Sequence, residues 1–66
     1  MRFKVWKDRR GWLYMVRPHS GGYRGCYKKK GGHDWKAVAS LKAKISDEAE
    51  GDMTLYALSH DMKRVL

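Results

Sequence analysis

The sequence predicts an α+β fold: a small three- to four-stranded antiparallel sheet in the order β-β-β-α-β, with one helix packed on one face. Three observations carry this reading. Residues 2–7 and 12–17 are aromatic or β-branched segments separated by Asp8-Arg9-Arg10-Gly11. Trp35, Val38, Leu41 and Ile45 recur at helical spacing. The chain has only 66 residues, enough for one small domain with a thin core.

Each element follows from its residues. Arg2-Phe3-Lys4-Val5-Trp6-Lys7 begins with polar/apolar alternation, the pattern of a half-buried strand. Asp is favoured at the first position of a type I turn and Gly at the fourth, so residues 8–11 read as a three-residue hairpin loop closed by a bulge. If Asp8 pairs with Trp12, then Trp6 faces Tyr14 and Val5 faces Met15. That register sorts Phe3, Val5, Leu13 and Met15 onto one side of the ribbon. Arg2, Lys4, Trp6, Trp12, Tyr14 and Val16 fall on the other. Pro18 to Gly22 reads as a loop. Tyr23 to Lys28 reads as a third strand, weakened by Gly25. Lys29-Lys30-Gly31-Gly32 is a cationic connection.

Asp34 is suited to cap a helix over 35–46, whose apolar stripe would cover Phe3, Val5, Leu13 and Met15. The acids at 47, 48 and 50 would sit badly at a helix C-terminus, so a break is expected there, supported by Gly51. Two readings of 53–66 stand side by side. Thr54 to Leu58 forms a fourth strand with Ser59 capping a short helix, or Leu55, Leu58, Met62 and Val65 form the stripe of one continuous helix.

Charge sharpens the functional reading. The formal net charge is +8 and the pI is near 9.9. Residues 1–33 hold ten basic groups against one acid, whereas 34–66 hold five against six. Six of the eight aromatic residues also precede residue 34. Phosphate backbones need cations, and exposed aromatics stack on bases. The expected nucleic-acid surface is therefore Arg2, Lys4, Trp6, Arg9, Arg10, Trp12, Tyr14, Arg17, Arg24, Lys28, Lys29 and Lys30, with DNA ahead of RNA as the ligand. Aromatic and arginine side chains also dominate protein interfaces. The alternative is thus an interaction module or inhibitor docking on an acidic surface of a host protein such as a polymerase or nuclease.

Other classes find little support. Mean hydropathy is −0.76, and no apolar run approaches the ~20 residues of a membrane span. One cysteine precludes an intrachain disulfide, and the chain opens on charged alternation rather than a secretory leader, so a reducing, cytoplasmic setting is expected. His19, Cys26 and His33 lack the paired spacing of structural zinc sites, so neither metal nor cofactor is expected. The Asp47, Glu48, Glu50 and Asp52 cluster falls on a break, and no catalytic constellation accompanies His19 or Ser20, so the chain does not read as an enzyme. A thin core and an open sheet edge leave room for a homodimer.

Three antiparallel strands followed by one packed helix, basic on the open face, resemble a set of small DNA-binding domains. These are the arm-binding N-terminal domains of phage and transposon tyrosine recombinases and the plant AP2-type domains. The resemblance covers residues 2–46 and rests on element order, charge and aromatic placement. It implies a sheet laid in the major groove, and it assigns no role to any single residue. A short basic chain of this kind also looks like a phage- or plasmid-encoded accessory protein.

Overall fold

The computed structural model describes residues 3–66. It is α+β, as the sequence predicts: one antiparallel sheet with one helix on one of its faces. The strands are β1 (Val5–Lys7), β2 (Leu13–His19), β3 (Gly22–Lys28), β4 (Lys36–Ala43) and β5 (Lys63–Arg64), and α1 spans Ser46–Ser59. The sheet therefore has five strands, in the spatial order β4-β3-β2-β1-β5.

The first hairpin forms as its turn chemistry dictates. Gly11 has φ +85°, a conformation that costs glycine little, and the Asp8 and Trp12 backbones pair at 3.0 Å. Trp6 stands opposite Tyr14 and Val5 opposite Met15, the register expected from the loop. The Asp8 carboxylate accepts five hydrogen bonds: from the Arg10 and Trp12 backbone N–H groups, from Nε and Nη2 of Arg10, and from the Tyr14 hydroxyl. Its side chain is only 9% exposed. A second tight hairpin joins β2 to β3 through Ser20 and Gly21, with φ +38° and +77°. Two residues of positive φ are what a two-residue hairpin with right-handed strand twist requires. β2 thus continues through Pro18, where a loop was expected. β1 pairs only with Leu13 to Met15, so the proline lies beyond its reach and interrupts no ladder on that side.

The later elements differ from the sequence expectation. Residues 36–43 form a strand, not a helix, and Asp34 caps nothing. β4 pairs with β3 through a register irregularity between Arg24 and Cys26. The helix comes next, over residues where a break was expected and then either a fourth strand or one continuous helix; it starts earlier and ends sooner than the helical alternative. Asp47 and Glu48 lie in its first turn, where the helix dipole favours negative charge. The same acids that argue against a helix ending there are suited to one beginning there. The helix ends at His60 and Asp61, the latter with φ +55°.

The helix covers the face of Trp6, Tyr14 and Val16, with Phe3 also packed against that core, and leaves Val5, Leu13 and Met15 on the other face. The core cluster is Trp6, Tyr14, Val16, Leu41, Ala49, Met53, Ala57 and Met62. Its helical contribution is the i, i+4, i+8 set Ala49, Met53 and Ala57. Gly25, opposite Val16, makes the seat. A Cβ there would lie 2.6 Å from Leu41 Cβ and 2.9 Å from Met53 Cε.

Two expectations follow. Gly25→Ala should destabilise the protein by about 1–3 kcal/mol through overpacking, and Met53→Ala by about 2–5 kcal/mol, whereas Leu55→Ala should stay within about 0.5 kcal/mol. Urea unfolding measures all three. The second concerns Asp8. Burial pushes its carboxyl up, but hydrogen bonds from Arg10, Trp12 and Tyr14 together with the Arg10 charge outweigh this and hold it below the ordinary 3.8. A lowered folded value contributes stability that is complete above the ordinary value and lost as pH falls through the folded one. Asp8→Asn should therefore flatten the acid limb of a stability–pH profile.

Candidate nucleic-acid interface

Side chains alternate across a strand, so the face opposite the helix can be read from the register. On β2 it carries Leu13, Met15 and Arg17, and on β3 Arg24, Cys26 and Lys28, since Leu13 pairs with Lys28, Met15 with Cys26 and Arg17 with Arg24. Lys7 joins from β1, Lys42 from β4 opposite Arg24, and Lys63 from β5 opposite Lys7. The result is a short apolar strip ringed by six cations. Val5 and Cys26 are buried yet stand apart from the core cluster. Among the described residues none of the six cations forms an ion pair, and no carboxylate occupies a strand position on this face.

The helix on the opposite side is acidic. α1 carries Asp47, Glu48, Glu50 and Asp52 and not one Lys or Arg. The four acids of α1 thus lie on the covered side, which also carries Lys4, Lys36 and Arg64, the last two standing opposite Tyr27 and Trp6.

Trp35 completes the open face. It immediately precedes β4 and shares the side of Ala37, opposite Cys26. Arg17 Cζ and Lys28 Nζ each lie 5.3 Å from its ring centroid. It takes no part in the core. A groove of about 450 Å³ runs beside it, bordered by Arg17, His19, Cys26, His33 and Asp34. Among the described residues, no three His, Cys, Asp or Glu side chains converge to hold a metal ion.

The expected site residues divide into four groups. Arg17, Arg24 and Lys28 stand together on the open face. Trp6 and Tyr14 lie under the helix, 7% and 4% exposed, so they cannot form an open aromatic surface. Lys4 is on the helix side, its backbone N–H donating to Glu50 Oε2 at 3.2 Å. Arg9, Arg10, Lys29 and Lys30 gather at the hairpin end, where Trp12 stacks on Tyr27 at 5.7 Å with Arg10 Cζ 3.6 Å from its centroid and Lys29 Nζ at 5.5 Å. Arg9 forms an exposed ion pair with Asp61 at 3.4 Å. Arg2 lies outside the described residues. Sequence reasoning missed Lys7, Lys42, Lys63 and Trp35. Lys7 was within reach, because it shares the parity of Val5 in the expected register.

A scan of family models, a search of curated proteins and a search of solved structures return no match. No helix among the described residues is long and apolar enough to cross a membrane.

The environment of Cys26 is directly testable. Burial raises its thiol, while Arg17 and Arg24 pull the other way without cancelling the effect. Little thiolate exists at neutral pH, so an aromatic disulfide reagent should modify the native protein about ten-fold or more slowly than the urea-unfolded chain.

Proposed function

We propose that this protein binds nucleic acid, DNA ahead of RNA, through the open face of its sheet. One observation carries the reading: six cations without carboxylate partners among the described residues share one uncovered face, while α1, with four acids and no Lys or Arg, covers the other. A polyanion satisfies such a face along its whole length, because successive phosphates meet successive cations and condensed counterions are released. The hairpin-end cluster of Arg10, Lys29, Lys30 and Trp12 is a separate basic patch, anchored to Tyr14 and Tyr27 of the helix-covered face. The resemblance to recombinase arm-binding and plant AP2-type domains adds nothing to this reading, because residues 36–43 form a strand where its packed helix was expected. No catalytic role is proposed for the protein.

Fluorescence anisotropy with labelled DNA over a range of salt concentrations tests this. Affinity should fall linearly on a log–log plot, with each neutralised phosphate contributing about −0.9 to the slope on B-DNA. Arg24→Ala and Lys28→Ala should each reduce the slope by about one phosphate's share. Asp52→Asn, on the helix beside Asp47 and Thr54, should leave it unchanged. Absence of binding at low salt rejects the reading. A protein retained on the immobilised chain from nuclease-treated extract would instead favour docking on an acidic host protein.

A further inference from the structure

We propose that the groove beside Trp35 seats one unpaired base, so that the ligand preferred by this face is single-stranded. The inference rests on the nucleic-acid reading above and names the form of polymer recognised. Of the three tryptophans, Trp6 is sealed in the core and Trp12 is already stacked on Tyr27. Only Trp35 remains on the open face with no aromatic neighbour among the described residues.

Its surroundings suit a nucleotide. Arg17 and Lys28 lie at 5.3 Å from the ring, near the loose end of the cation–π range of roughly 6 Å. A base sliding onto the ring displaces a weak contact, and the displaced cation finds the adjoining phosphate. The groove of about 450 Å³ falls in the range of roughly 300–1,000 Å³ typical of small-ligand pockets. It accommodates one base and not a duplex. His19, His33 and Asp34 along it offer donors and acceptors to a base edge, and Cys26 contributes an apolar wall. A duplex keeps its base faces inside the stack, so it can engage the cations and leave Trp35 unused. A single strand engages both.

The test is a parallel NMR and anisotropy titration with oligothymidylate and with a duplex of matched length. The single strand should bind more tightly, and the Trp35 indole N–H signal should move while that of Trp6 stays in place. Trp35→Ala should lower single-strand affinity by about ten- to a hundred-fold, with the salt slope and duplex affinity unchanged, and Trp35→Phe should retain most of the affinity. Trp35 lies outside the core, so both variants should keep a dispersed amide spectrum. Equal binding of the two polymers, or an unaffected Trp35→Ala, overturns the inference while salt-dependent binding leaves the broader reading standing. No binding of either polymer overturns both.

Discussion

The architecture depends on a side chain that is missing. Gly25 lies in the middle of β3, and the space a Cβ would take is filled by Leu41 from the edge strand and Met53 from the helix. Both are apolar and buried, so this one vacancy draws β4 and α1 onto the same side of β3. The helix contributes only Ala49, Met53 and Ala57 as its buried residues. Two alanines bring its backbone close to the sheet, and the methionine reaches into the space above the glycine. With so few apolar groups engaged, the seat at Gly25 decides which face of the sheet is covered. The cost of glycine in a strand, of the order of 1 kcal/mol, is set against the close approach it permits.

Strand parity turns that choice into a surface. Once the helix sits over Trp6, Tyr14 and Val16, the residues between them in the ribbon share the other face: Lys7, Arg17, Arg24 and Lys28, with Leu13, Met15 and the buried Cys26. Two aromatic side chains that would be candidates for base stacking become the structural floor. Trp35 is delivered by the β3–β4 connection to the other side, apart from the core. The Asp8 carboxylate is the second anchor. By gathering the Arg10 guanidinium, the Tyr14 hydroxyl and two backbone N–H groups, it ties the turn to the core and holds Arg10 beside Trp12.

What was legible in the sequence is local chemistry. Asp8-Arg9-Arg10-Gly11 encodes its own turn, and the turn encodes a register that the structure reproduces residue for residue over β1. The α+β class and the existence of one packed helix were also legible. The position of the helix was not, because its hydrophobic pattern misleads. Leu55 and Leu58 are 68% and 64% exposed, while two alanines and Met53 face inward, so the two leucines report the wrong side. The spacing of Val38, Leu41 and Ile45 is a coincidence of helical period in a strand with a register irregularity, and Ile45 lies exposed beyond its end. The choice of face was illegible for a different reason. Both sides of the first hairpin carry apolar residues, and the glycine that selects between them sits on another strand, where sequence pattern reads it only as a weakness.

The uneven distribution of charge across the sheet has a kinetic consequence. Four carboxylates on the helix and six cations on the opposite face give the molecule a dipole component along the sheet normal, reduced by Lys4, Lys36 and Arg64 on the helix side. In the field of a polyanion that dipole feels a torque before any contact forms. The protein rotates as it diffuses, arriving sheet first, and encounters with the helix leading are turned away by repulsion. Such orientation raises the fraction of collisions that are productive, and the benefit fades as salt shortens the field to the Debye length, about 8 Å at physiological ionic strength. For the proposed polyanionic ligand, the acidic helix would thereby orient the encounter without touching it.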